Sequence, residues 1–359
     1  MTIAAAFAIP GALDTPTGGY EYDRKLLEAA PAAGLALSHL PLSGGFPHPT
    51  RAEAEAAIAA MAAAPGPVLV DGLALGALPA EAIPEALGAR LIALCHHPLG
   101  LETGLSADAS ARMLAAEAAA LARCARVLTT SRTTAETLRT RLGVPAARIA
   151  VAPPGLTPAP CAPRRRDPAP MILGVGTISA RKDWGTLVAA LSRLADRDWT
   201  CAIAGDDARD PDAAQALRAA IETAGLAPRI RLTGALGRAA LDALYLDADL
   251  FCLPSRYEGY GMVIVEAMMR GLPVVACDAG AVPEAAGGAA RLVPPGDPEA
   301  MAGALAAVLD DAEEADRMAA ASRAHALSLP GWEDAARIVA GLLAGLRAES
   351  PRDMRERSA

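Results

Sequence analysis

Aromatic residues make up only 3% of this 359-residue chain, and lysine occurs twice, at Lys25 and Lys182, beside 31 arginines. The 53% hydrophobic content is carried by alanine, a bias of base composition more than a sign of a special fold, and it blurs helical periodicity. Basic charge is scarce as well. A formal net charge of -8 argues against general nucleic-acid binding, which needs a basic footprint. No run of about 18 apolar residues marks a membrane span, so any membrane contact is peripheral. The N-terminal TIAAAFAIPG lacks a basic flank and its apolar run stops at Pro10, which favours a first buried strand over a signal peptide. Cys95, Cys124, Cys161, Cys201, Cys252 and Cys277 are scattered, with no C-x-x-C pair. That pattern gives no metal site and suits reduced, mostly buried thiols in a cytoplasmic protein.

What is present is alternation. Short apolar runs at 3–9, 35–40, 67–72, 91–97, 126–131 and 148–153 are separated by helical patterns such as EYDRKLLEAA and TRAEAEAAIAAMAAA. The second half repeats the scheme with MILGVG, CAIAG, IRLTG, LFCLP, PVVAC and ARLVP. Strands alternating with helices imply an α/β protein with parallel sheets covered on both faces. The length allows two domains, and the Pro-rich stretch 152–170 is their natural boundary. Helical segments at 297–309 and 312–327 and a final amphipathic helix follow the last strand, and the charged tail ESPRDMRERSA is expected to fray. Between Arg112 and Arg148 seven arginines face only Glu117 and Glu136, a local excess of +5. This is either a solvated helix face or a patch for an anionic acceptor or membrane surface.

The chemistry concentrates in FCLPSRYEGYGMVIVEAMMRGLPVV. A buried strand ends at Pro254, turn formers fill 255–261, and a helix runs from Met262 to Gly271, where a helix C-terminus is expected. Strand, glycine loop and helix together aim unpaired backbone N–H groups and the positive end of a helix dipole at an anion. Residues eight apart on one helix would point about 80° apart, so Glu258 belongs to the loop and Glu266 to the helix, with separate jobs. Asp247-Ala248-Asp249 matches the Asp-x-Asp metal motif on paper, but it precedes a strand instead of ending one. GVGTIS lacks the third glycine of a dinucleotide fingerprint.

These residues resemble the retaining GT-B glycosyltransferases of family 4 (glycosyl transferases group 1). The motif PS-x-x-E-G-F-G followed by E-A-M-A-x-G-x-P-V-V stands here as PSRYEGYGMVIVEAMMRGLPVV, and the resemblance extends through 172–191, 201–205, 231–236 and 290–305. It implies two facing Rossmann-like domains, 1–160 for the acceptor and 170–330 for the nucleotide-sugar, with a helix at 331–348 crossing back to the first. By resemblance Arg181 and Lys182 meet the departing diphosphate, Glu258 lies near the transferred sugar, and Glu266 accepts from the ribose hydroxyls. The backbone of Gly259, Tyr260, Gly261 and Met262 cradles the diphosphate. In the first domain Gly18 and Gly19 match the family's N-terminal glycine loop, and His96, with His97 as its rival, approaches the sugar; Glu102 and Thr103, just after, are candidates for the acceptor pocket. Many relatives carry Arg where this chain has Thr177; here Arg181 stands directly before Lys182.

The activity so implied is metal-independent, retaining transfer of a hexose-type sugar from a nucleotide-diphosphate sugar to an acceptor hydroxyl, without further cofactor. The acceptor is a saccharide or a lipid, in glycolipid or polysaccharide biosynthesis. A GT-B epimerase acting on a nucleotide-sugar and a noncatalytic sugar-nucleotide-binding protein are the alternatives.

Overall fold

The computed structural model describes residues 2–163 and 169–348. Residues 164–168 of the Pro-rich stretch and the charged tail from 349 lie outside the described residues. The chain divides into two compact units: one runs from the N-terminus to Gly155 and resumes at Pro330, and the other is Leu156–Leu329.

Each unit is built on one six-stranded parallel sheet. In the first, β1 (Ile3–Pro10), β2 (Leu35–Leu42), β3 (Val68–Asp71), β4 (Leu91–Cys95), β5 (Arg126–Thr129) and β6 (Ile149–Val151) lie in the order β2-β1-β3-β4-β5-β6. In the second, β7 (Met171–Val175), β8 (Thr200–Ala204), β9 (Ile230–Gly234), β10 (Leu250–Leu253), β11 (Val274–Cys277) and β12 (Arg291–Val293) lie in the order β12-β11-β10-β7-β8-β9. All twelve apolar runs read from the sequence are strands. Central strands such as β4 and β10 are buried at every position, because helices cover both faces and leave no solvent side to alternate toward.

Strand order reverses between β1 and β3 in the first sheet and between β7 and β10 in the second. At such a switch point the two flanking loops leave in opposite directions and open a crevice at the carboxyl ends of the strands. The glycine pair Gly18-Gly19 follows β1, and the Glu258 loop follows β10, so both candidate loops border a switch point of their own sheet.

Helix boundaries follow local chemistry. Thr50 and Glu53 form a reciprocal capping box on the helix Arg51–Ala63, and Asp297 accepts the N–H groups of Glu299 and Ala300 at the start of Pro298–Asp310. The last helix, Trp332–Ala348, belongs to the first unit and packs on the helix Gly18–Ala29, where the Trp332 and Tyr22 rings meet edge to face at 5.4 Å. Among the described residues no helix is long and apolar enough to cross a membrane. Five of the six cysteines are buried free thiols and Cys161 is an exposed one.

Two sequence features find structural employment. Asp249 of the Asp-x-Asp look-alike accepts the backbone N–H of Met171 at 2.9 Å, tying the start of β10 to β7. In the arginine-rich stretch, Arg123 donates to the Ile83 carbonyl, Arg148 to the Leu121 carbonyl, and Arg139 pairs with Glu136. Part of that local positive charge is therefore engaged inside the unit by carbonyl groups that a helix end leaves without partners.

Candidate active site

In the second unit the loop after β7 and the loop after β10 are tied together. The backbone N–H of Arg256 donates to the Arg181 carbonyl at 2.8 Å, the Arg181 guanidinium donates to the Tyr257 carbonyl at 3.1 Å, and Arg256 pairs with Asp183 at 2.9 Å. Trp184 sits against Gly174 of β7 and donates its indole N–H to the Thr177 carbonyl, which fixes the turn on the β7 side.

Glu258 lies at the centre. Its Oε1 accepts from Lys182 Nζ at 2.6 Å and from Ser255 Oγ at 2.5 Å, and its Oε2 lies 3.5 Å from Arg181 Nη1. Lys182 and Glu258 are both buried. Burial by itself would raise the Glu258 pKa; the charges of Lys182 and Arg181, with the bonds from Lys182 and Ser255, outweigh it and hold the carboxyl below its usual range. Behind it, Gly280 has φ +60°, and a side chain there would strike the Glu258 backbone, so glycine lets the two loops close up.

Gly259, Tyr260 and Gly261 form the turn into the helix Met262–Met269; Gly261 is its N-cap at φ +97°, a conformation that glycine adopts freely. Tyr260 is buried and its phenol is pushed up to about 12 by burial and then by the charge of Glu284. Glu266 stands in the second turn of that helix, 3.2 Å from Arg238, which also pairs with Asp242 at 2.9 Å. Two cations around one carboxylate, Arg181 and Lys182 against Glu258, leave an excess of one positive charge beside a helix N-terminus. That combination suits a phosphate group.

The first unit brings together Gly18, Gly19 and His96, and adds two carboxylates, Asp23 and Asp71, to which no sequence motif points. Gly18 and Gly19 open the helix Gly18–Ala29, and the His96 ring packs beside Gly19. His96 Nε2 lies 3.1 Å from Asp23 Oδ1 and 3.3 Å from Asp71 Oδ2. Burial pulls the imidazole pKa down, but Asp23 first and Asp71 next overcome that and push it up to about 10. Asp23 is itself pushed up to about 7, by burial above all and by the neighbouring Asp71 charge. His97, the rival histidine, lies 3.9 Å from Glu102, whose carboxylate also accepts the Thr103 backbone N–H. The turn that carries both histidines is held from behind by Glu117, which accepts the Leu99 N–H at 2.8 Å; burial pushes its pKa up to about 7.

Asp23 escapes a sequence reading because it sits in the polar-looking string YEYDRK. Its one local signal is helical spacing, which puts it on the buried face with Tyr22 and Leu26. Asp71 had a better signal, as an acid ending a buried strand before a glycine. For Ser255 and Arg238 the sequence offers no signal of a partner three or 28 residues away.

Comparison with known proteins agrees with this layout. Residues 169–311 match the family model for glycosyl transferases group 1, and residues 34–159 match that for glycosyltransferase family 4. The 2-deoxystreptamine glucosyltransferase of Streptomyces kanamyceticus is 33% identical over 214 residues, 55% of this chain and 54% of that protein. The matched stretches take in 28%, 40% and 54% of the first curated relatives' own lengths. Among solved structures, sucrose-phosphate synthase from Thermosynechococcus elongatus superposes with a TM-score of 0.77 at 21% identity, over 97% of this chain and all of that one. Anabaena HepE in complex with UDP-glucose superposes at 0.74 and 17% identity, over 96% of this chain and all of that one. With two parallel α/β sheets, a phosphate-suited loop pair at the β7/β10 switch point and both family models matched in order, the chain belongs to the group 1 glycosyl transferases of glycosyltransferase family 4 and has the GT-B fold.

Proposed function

We propose that this chain transfers a hexose-type sugar from a nucleoside-diphosphate sugar to an acceptor hydroxyl, with retention of anomeric configuration and without a metal ion. The observation that carries the reading is the Arg181–Lys182–Glu258 cluster at the switch point of the second sheet. Cleavage of a nucleotide-sugar places growing negative charge on the departing diphosphate, and preorganised cations in a site sheltered from water lower the cost of that charge. Glu258 orients the Lys182 ammonium and restrains Arg181, so neither cation reorganises as the bond breaks. The turn Gly259–Gly261 and the first backbone N–H groups of the helix Met262–Met269 supply uncharged donors for the same phosphates. Glu266, in the next turn, offers a carboxylate to the ribose hydroxyls once Arg238 yields its contact.

Retention follows from same-face attack, in which the departing phosphate oxygen takes the proton of the incoming hydroxyl. No side chain in the cluster is presented as a covalent nucleophile, since the Glu258 carboxylate is engaged by Lys182 and Ser255. Similar proteins support a sugar donor carried on a nucleotide: HepE was solved with UDP-glucose, and the Streptomyces relative is a glucosyltransferase. The acceptor is a saccharide or a lipid.

The test uses purified protein, a panel of radiolabelled nucleotide-sugars, and separated membrane and soluble extracts, in the presence of chelator. Label should move to an acceptor with the chelator present, and its partition into organic or aqueous phase then assigns lipid or soluble acceptor. Free nucleotide with an isomerised sugar and no acceptor product would support an epimerase instead. Absence of donor turnover with every extract would make the chain a sugar-nucleotide-binding protein.

A further inference from the structure

The first unit holds a buried charge arrangement that the proposed phosphate chemistry does not use. Asp23 and Asp71 are almost entirely buried, and both direct a carboxylate oxygen at one nitrogen, His96 Nε2. A ring nitrogen carries at most one hydrogen. The remaining oxygens are unequal: Asp71 Oδ1 accepts the Leu73 N–H at 2.7 Å, whereas Asp23 Oδ2 is buried and, among the described residues, without a hydrogen-bond partner. Among the described residues the salt-bridge partner of both acids is His96, with no lysine or arginine. Two ionised carboxylates and one imidazolium would leave a buried net charge of −1, which a low-dielectric site tolerates poorly. The cluster is neutral when the imidazole is charged and the two acids share one further proton. The raised proton affinities of Asp23 and His96 run in the direction this count demands.

Geometry determines what the ring can then do. Nε2 is taken, the Cδ2 edge lies against Gly19, and Tyr22 meets the ring edge to face at 5.2 Å. Nδ1 remains, on a side chain that is 21% exposed. Among the described residues, titratable groups around the cluster include Tyr22 on the same helix as Asp23, Cys95 at the end of β4, Glu117 behind Cys95, and the adjacent His97; burial raises the proton affinity of the first three, and none of those three is a cation.

We propose that Asp23 is a positioning residue for His96: from the helix that begins at the glycine pair, its carboxyl group holds Nε2, keeps the ring protonated and leaves Nδ1–H as a fixed, charged donor to an oxygen of the bound substrate. The glycine loop and His96 thereby move as one piece, because the helix that starts with the loop also carries the clamp. The catalytic consequence rests on the transferase reading above; the charge state of the ring does not.

The experiment is an NMR pH titration of protein labelled with ¹³C at histidine Cε1. The chain has five histidines, and His96 is assigned by difference with His96→Gln. In the unaltered protein the His96 signal is expected to remain that of an imidazolium until the pH approaches about 10. In Asp23→Asn, which preserves volume, the midpoint should fall by more than about one pH unit, a tenfold loss of proton affinity. Asp23→Glu should recover part of it. An ordinary histidine midpoint in the unaltered protein, or an unchanged midpoint in a folded Asp23→Asn, overturns the proposal. If Asp23→Asn fails to fold, Asp71→Asn provides the same comparison with Asp23 left in place, and there His96 must remain raised. Titration with Zn²⁺ or Mn²⁺ alone is the third arm: stoichiometric binding that releases the His96 proton and is reversed by chelator would make the cluster a metal site and overturn the clamp. Where transfer is measurable, Asp23→Asn should lower kcat at least tenfold with donor KM nearly unchanged, less than the ~10²–10³-fold expected for losing a donor outright. Absence of transfer in the unaltered protein would sink the function reading and leave the titration standing.

Discussion

The two units bury their site carboxylates in opposite company. Glu258 in the second unit has Lys182, Arg181 and a serine hydroxyl around it, and its proton affinity falls. Asp23 in the first unit has another acid and one histidine, and its proton affinity rises. Burial pushes both carboxyls the same way; the count of cations within reach decides the outcome. One fold type, used twice, thus makes a site suited to an anion in one sheet and a proton-holding site in the other.

The comparison breaks most sharply at Lys182. Lys182→Met leaves Glu258 buried with the Ser255 hydroxyl and the longer Arg181 contact, and truncating one partner of a buried pair typically costs about 3–5 kcal/mol. Urea unfolding of the second unit should register that loss, and transfer should fall by on the order of 10²–10³-fold. Equal activity in this variant would remove the phosphate role.

The next effect is a divergence with pH. The Glu258 pKa is lowered, so its stabilisation is complete above the ordinary carboxylate range and is lost as pH falls through the lowered value. Asp23 and Glu117 are raised to about 7, so their favourable contribution is complete below about 4 and is lost as pH rises through 7; that of His96 is lost as pH rises through about 10. Mild acid should therefore favour the first unit and neutral to alkaline pH the second. Trp332 reports on the first unit and Trp184 and Trp199 on the second, so single-tryptophan variants followed through denaturant at several pH values would read each slope. Parallel slopes would erase the contrast.

A smaller change sharpens it. Glu117→Gln keeps an acceptor for the Leu99 N–H and removes the titrating proton. The pH dependence of the first unit's stability should then flatten between about pH 4 and 7, by roughly 1.4 kcal/mol for each tenfold difference in proton affinity that the substitution abolishes. Smallest of all, Arg238→Ala removes a half-exposed partner of Glu266. It should change stability by less than about 1 kcal/mol, as exposed pairs do, and show itself in donor KM with kcat nearly unchanged.

Much of this was legible in the chain. The strand–helix alternation returned all twelve strands, and Gly271, Thr50 and Asp297 mark helix ends by local chemistry alone. The family resemblance singled out Lys182, one of two lysines in the chain, before any partner was known. The partner itself was not legible, because Glu258 lies 76 residues away and meets Lys182 only through the pairing of β7 with β10. The arginine-rich stretch 112–148 misleads in the opposite sense, since a sequence count cannot tell a solvated guanidinium from one bound to a carbonyl such as that of Leu121.

By itself, the sequence determined where strands, helices and glycine turns form, because those depend on side-chain periodicity and backbone freedom within a few residues. Only the tertiary structure decided which carboxylate loses proton affinity and which gains it. That depends on the dielectric and on the cations within a few ångströms, and strand order brings them from distant parts of the chain: Lys182 to Glu258 and, among the described residues, His96 alone to Asp23 and Asp71.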